Sequence, residues 1–168
     1  MIFDAVERAY AIAFGGGKFS ADLAALIAAK APGLDSTVNI YKRQRAETFI
    51  ALGGSLPGLG IWATASLTQA RVGTGWRDVV TEVVYDYYCV YAGDSDAPVK
   101  AAKQAELAAE ALLKCVDALP GSGDSVYGAG ELRSSVRIET SDGYLQDSAG
   151  WFRRAKVIFP LTDRDEPV

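Results

Sequence analysis

The 168-residue chain contains no histidine. That removes the commonest general base and metal ligand, and with it every Ser-His or Cys-His nucleophile pair. Cysteine is nearly absent too: Cys89 and Cys115 stand apart, without the CxxC spacing of a zinc or dithiol site. Both lie in apolar stretches and are expected to be buried and reduced, behaving as small hydrophobes. No apolar run approaches the ~20 residues needed to cross a bilayer, so no membrane partner is expected. The opening "MIFDAVERAY" carries acids and no basic n-region. This argues against a secretory signal and for a product that stays in the cytoplasm where it is made. The carboxylates Asp94 and Asp96 sit between "YAG" and "APVK" as turn and helix-cap residues, not as a cation cage. The chain is therefore expected to be no enzyme and to hold neither metal nor cofactor.

What is present is an ordinary globular composition, 49% hydrophobic and 23% charged, which at this length points to one domain with a full core. Net charge is −4 and unevenly spread: residues 1–45 hold six Lys/Arg and four Asp/Glu, and residues 46–168 hold 11 and 17. A duplex-binding domain shows a basic face. Here the only basic cluster is Lys42-Arg43-Gln44-Arg45, read as a solvated strand end or loop rather than a phosphate contact.

The stretch "AFGGGKFSADLAAL" has the look of a phosphate cradle. A P-loop requires glycine five positions before its Gly-Lys pair and a hydroxyl residue after the lysine. Ile12 and Phe19 occupy those positions, and the preceding residues have helical rather than strand periodicity. The glycines read instead as a joint between two short helices.

Apolar spacing predicts a helix over 2–13, ended by Gly15–Gly17, and a second over 21–30 with Ser20 as N-cap and Pro32 beyond its end. Residues 37–44 alternate like a short strand, and Ala46, Phe49 and Ile50 suit a helical turn. After Pro57, Ile61, Ala63, Ala65 and Leu67 share one strand face. The run "WRDVVTEVVYDYYCVYAG" places Val79, Val83, Tyr85, Tyr87 and Cys89 on one parity and Asp78, Glu82 and Asp86 on the other. Strands 59–70 and 77–91 form an antiparallel hairpin around Val72–Trp76. A long helix over 97–119 follows, with Ala102, Ala105, Ala109, Leu112, Leu113 and Val116 on its apolar side. Two alternating strands close the chain, joined by "SDGYLQDSAG", with Ala155, Val157, Phe159 and Leu161 facing in.

The expected fold class is α+β: an antiparallel (mixed) sheet of about four strands with helices packed on one face, in the order α-α-β-β-α-β-β. Residues 1–161 make one domain, and 162–168 are a charged, frayed tail.

This order, with the leading helix, "VNIYKRQR", "SLPGLGIWATAS", "YCVYAGD", the Ala-rich helix and the hairpin "GYLQDSAGWFRRAKVIFPLTD", resembles the tail terminator (tail-completion) proteins of long-tailed bacteriophages. The likeness spans nearly the whole chain as architecture. It departs where "LTQAR" replaces the acidic residue that often follows the Leu-Pro strand. The resemblance implies a structural virion protein, assembled in the host cytoplasm, that caps the tail tube as a six-membered ring. Its partners would be further copies of itself, the tail tube protein and the head-completion or neck protein. DNA would pass through without specific binding, which suits an acidic chain. Two other readings stand beside it: another neck or tail-tube virion component, and, from a different class, a small-molecule or nucleotide-binding α+β domain.

Hairpin arms of ~40 Å exceed what a domain with a radius of gyration near ~15 Å can cover. Their tips are therefore expected to project and to recruit partners. The candidate oligomer interface comprises Val72, Gly73, Thr74, Gly75 and Trp76 at the hairpin tip, with Tyr144 and Trp151 on the closing hairpin. Tryptophan is enriched at such hot spots.

Overall fold

A computed structural model describes residues 2–70, 77–118 and 136–165. The elements run α1 (Ile2–Phe14), α2 (Lys18–Lys30), β1 (Asn39–Lys42), α3 (Ala46–Ala51), β2 (Gly58–Ala70), β3 (Arg77–Ala92), α4 (Ala97–Ala118), β4 (Arg137–Leu145) and β5 (Gly150–Asp165). One mixed sheet has the order β1-β2-β3-β5-β4. β1 pairs parallel with β2, and the remaining pairings are antiparallel. The α+β class and the helix-covered face agree with the sequence reading. The sheet has five strands rather than about four, because the short 39–42 segment hydrogen-bonds along β2 as a full edge member.

The helices α1, α2 and α4 lie on one face, over a core built by period-2 alternation in the strands. Leu59 and Ile61 of β2, Val83, Tyr85, Tyr87 and Cys89 of β3, and Ala155, Val157, Phe159 and Leu161 of β5 are all buried there. α1 meets the sheet through Ala5, Val6, Ala9 and Ala13, residues small enough to bring its backbone close. The Tyr85 hydroxyl accordingly donates to the Ala9 carbonyl at 2.8 Å. α4 turns Ala101, Ala105, Ala108, Leu112 and Cys115 inward. Ala102 and Leu113, expected on its apolar side, sit half-buried at the margin. The fully buried Gln104 donates to the Asp35 carbonyl at 2.7 Å and meets the Tyr87 hydroxyl at 2.8 Å, while Tyr91 donates to its Oε1. This satisfied polar hub pins the 31–38 connection to α4 and β3.

Four boundaries depart from the sequence reading. α2 starts at Lys18, with Gly17 in the left-handed region (φ 68°) at its N-cap, so Ser20 lies inside the helix and caps nothing. Glycine reaches that conformation without the steric cost other residues bear. In β2 the pairing shifts between Ala63↔Val83 and Ser66↔Thr81, a bulge in which Thr64 and Ala65 oppose Glu82. The row of Ile61 and Ala63 therefore continues through Ser66, and Leu67 registers with Val80 instead. β4 continues through Leu145, shrinking the hairpin loop to 146–149. β5 runs to Asp165, which pairs with Arg77, so residues 162–165 belong to the sheet and not to a frayed tail.

Candidate assembly surface

The sheet is unequally protected along its length. β1 ends where Lys42 pairs with Ile61, and β4 begins where Arg137 pairs with Ile158. Past those points β2, β3 and β5 continue together to Ala70↔Arg77↔Asp165. Among the described residues no strand flanks this three-stranded ribbon. Of the expected interface, Val72, Gly73, Thr74, Gly75 and Trp76 lie outside the described residues.

Tyr144 and Trp151 are brought together. They are a directly opposed cross-strand pair of β4 and β5, with ring centroids 5.3 Å apart and a 59° tilt. Trp151 also pairs with Tyr91, so both rings stand on the helix-side face, at the sheet edge. Tyr144 is 50% exposed and Trp151 39%. β4 is exposed along nearly its whole length and forms the outer edge of the sheet. Beside the aromatic pair, Arg153 reaches Asp142 at 2.8 Å across the same two strands.

The opposite face carries an arrangement that the alternation pattern concealed. Asp86 sits on the parity read as solvent-facing, yet it is completely buried. Its carboxylate accepts hydrogen bonds from Arg154 Nε and Nη2 at 2.6 Å each, the Ala46 backbone N–H at 2.9 Å and Trp62 Nε1 at 3.3 Å. Arg154 also clamps Glu47, at 2.5 and 3.0 Å. One bidentate arginine thus joins β5, β3 and the first turn of α3. Burial opposes the Arg154 charge, but hydrogen bonds to Asp86 and Glu47 outweigh it and hold the guanidinium above its ordinary pKa. The Arg154 hydrogen bond, against some desolvation, holds the Glu47 carboxyl below its own.

Below the clamp, Phe49 stacks on Tyr41 at 4.4 Å and Tyr88 on Phe152 at 5.3 Å. Gly58 and Gly60 make the space. A Cβ on Gly60 would strike the Gln44 carbonyl oxygen, and one on Gly58 would lie 2.8 Å from the Phe49 ring. Alternate glycines in a strand signal close approach on one face. In "PGLGIW" that signal was available for locating α3.

The other sequence candidates are absorbed by structure. "GGGKFS" joins α1 to α2, and Lys18 pairs with Asp22 at 2.7 Å within α2. Lys42 and Arg43 both reach Glu7, at 2.8 and 2.7 Å, and Lys42 also lies 3.9 Å from the Tyr10 ring centre. Arg45 stacks over Trp62 at 4.3 Å. Asp94 accepts from the Asp96 backbone N–H and from Lys100, the turn-and-cap role expected of it. Cys89 and Cys115 are free and buried, and burial pushes both thiols up to about 12. A groove of about 420 Å³ lies between α4 and β4, lined by Leu113, Val116, Asp117, Val136 and Ile138. Among the described residues no three His, Cys, Asp or Glu side chains cluster as metal ligands. No single described helix is long and apolar enough to cross a membrane.

The described surface thus carries an aromatic pair on the edge strand β4 and a ribbon of β2, β3 and β5 that outruns β1 and β4. Compared with known proteins, the chain matches no family model and no curated sequence.

Proposed function

We propose that this chain is a structural virion protein of a long-tailed bacteriophage, a tail terminator that caps the tail tube and forms the tail side of the head–tail joint. It works as a ring of identical copies, six by the family resemblance, and it touches the tail tube protein on one side and the head-completion or neck protein on the other. DNA traverses the ring without being specifically bound, and the protein catalyses nothing and carries no cofactor. The observation that supports this best is the exposed Tyr144–Trp151 pair at the β4 edge, which has no strand on its outer side among the described residues. Apolar surface held rigidly at a sheet edge marks an association site. The ribbon of β2, β3 and β5, extending past β1 and β4, adds a second reason to expect neighbours.

Deletion of the gene from its phage, followed by electron microscopy, tests the reading. Tails of uncontrolled length that fail to join heads, rescued by the wild-type chain and poorly by Trp151→Ala, are expected. Tails of normal length joined to heads would refute it. Normal-length tails left unjoined would make the chain a neck component instead. A rise in melting temperature with ATP or GTP would favour the nucleotide-binding domain.

A further inference from the structure

The sheet, in the order β1-β2-β3-β5-β4, has two edges, and they differ. β1 is four residues long, and so short an edge offers little backbone to a partner. β4 runs for nine residues, Arg137–Leu145, and pairs with β5 without a register shift. It contains no proline, lysine or bulge, the devices that commonly blunt an edge. Its three charged side chains are already engaged within the chain. Arg137 reaches Glu82 at 3.1 Å and Glu139 at 3.5 Å, and Asp142 meets Arg153 at 2.8 Å. Among the described residues no strand lies on the outer side of β4. Its outward N–H and C=O groups are therefore a template for a further strand.

We propose that a second copy of this chain supplies that strand, β4 pairing antiparallel with β4 across a two-fold axis at Ser141. The residues of β4 themselves favour this occupant. Antiparallel pairing over all nine residues sets Ser141 opposite itself, Thr140 opposite Asp142 and Ile138 opposite Tyr144. Ile138 and Tyr144 are the large hydrophobic side chains of β4 that stand exposed, at 47% and 50%. Both are on the helix-side face, since they pair with Val157 and Trp151 of β5. α4 lies over β3 and β5, so the two side chains stand beside it. Tyr144 of the second copy then meets Ile138 at the mouth of the groove formed with Leu113, Val116 and Val136.

The neighbouring registers are worse. A slip of one residue sets residues of opposite faces against each other. A slip of two sets Asp142 opposite Asp142 in one direction and Ile138 opposite Asp142 in the other. Like charges directly opposed across strands are destabilising, and apolar pairs stabilise. Only the full-length register both avoids the first and provides the second. A two-fold contact uses the same patch on both copies and closes on itself. It cannot join neighbours in a ring whose two faces differ, so the dimer is a form of the free protein whose β4 edges part when the proposed ring builds. The pairing itself does not rest on that reading.

Sedimentation and cysteine trapping of the full chain test it. One strand pairing buries less than the ~1,200 Å² of a stable interface. The wild-type chain should therefore pass from monomer to dimer as its concentration rises over roughly 10 μM to 1 mM. Thr140→Asp, which opposes Asp142 with a like charge, should weaken association on the order of tenfold, and Thr140→Lys should not. Both native thiols are buried, so an introduced cysteine reports the register. Ser141→Cys should link to itself on the order of tenfold faster than Glu139→Cys, whose counterpart lies about 14 Å away along the strands. Each variant is confirmed as folded by circular dichroism and denaturant midpoint. If Ser141→Cys fails to fold, a mixture of Ile138→Cys and Tyr144→Cys replaces it and should link to each other rather than to themselves. A monomer throughout the concentration range, or equal linking of Ser141→Cys and Glu139→Cys, would overturn the pairing. Failure of the phage deletion test beside an intact Ser141→Cys dimer would remove the virion reading and leave the pairing standing.

Discussion

The two faces of the sheet are held in different ways. On the helix-covered face, stability comes from apolar area and shape: Leu59, Ile61, Val83, Tyr85, Phe159 and Leu112 are buried against one another. On the other face a six-residue helix is held by the Arg154 clamp on Asp86 and Glu47, by the single buried ring of Phe49 with Tyr41 and Tyr88, and by two glycines that make room for it. The first is non-directional and spread over many residues. The second depends on a few groups whose removal leaves an unpaired charge or a clash. Small changes are therefore absorbed on one side and concentrated at single residues on the other.

The largest expected effect lies on the helix-covered face. Phe159→Ala should cost about 3–5 kcal/mol in urea-denaturation midpoint analysis, the sum of lost transfer energy and a cavity closed in by α4 and β3. A loss below 1 kcal/mol would mean that this face is loosely packed and that the contrast fails.

Next comes Asp86→Ala, which strands Arg154, the Ala46 N–H and Trp62 Nε1 without their shared acceptor. About 2–3 kcal/mol should be lost, somewhat less than for a fully buried pair because Arg154 keeps Glu47 as a partner. Replacing both ions, with Asp86→Leu and Arg154→Met, should recover much of that loss, since well-packed apolar groups often match a buried pair in stability. If the double variant is less stable than Asp86→Ala, the clamp stabilises by net attraction rather than by merely being complete.

Gly60→Ala sharpens the comparison by sterics alone. Its methyl group meets the Gln44 carbonyl, so about 1–3 kcal/mol should be lost. Amide exchange should rise over 44–54 while β3 and β5 keep their protection. Loss of protection across the whole sheet would show that α3 is not a separable unit.

The smallest effect is a pH dependence. Glu47 has its pKa lowered in the folded state, from an ordinary value of 4.5, chiefly by the Arg154 hydrogen bond. Its stabilisation is therefore complete above the unfolded-state value and is lost as pH falls through the lowered folded value. With the Glu47 side chain 66% exposed, solvent screening limits the contribution to about 1 kcal/mol at most. Glu47→Gln should lower stability near neutral pH and flatten the acid limb of the pH–stability profile. An unchanged acid limb would show that the Arg154–Glu47 half of the clamp contributes nothing.

Much of the architecture was legible residue by residue. The hairpin over 59–70 and 77–91, the long helix from Ala97, the inward row Ala155–Leu161 and the burial of both cysteines follow from periodicities of 2 and 3.6 within single segments. Each element's own pattern sufficed because its buried partners share one face. The bulge at Thr64–Ala65 was invisible because apolar alternation continues through it, and only the register of β3 reveals the shift. The end of β5 was misplaced because "TDRDEPV" is charged, whereas pairing with Arg77–Val80 extends the strand regardless of side-chain polarity.

By itself, then, the sequence determined the α+β class, the helix-covered core and the element order apart from the added β1 and α3, because hydrophobic periodicity is a local property that any one segment can display. Tertiary structure alone decided that Asp86 is buried and that Arg154 of β5 joins β3 to α3. These depend on contacts between residues separated by 40 (Ala46 with Asp86), 68 (Asp86 with Arg154) and 107 (Glu47 with Arg154) positions. No repeating pattern within a single segment carries the distance between groups so far apart along the chain.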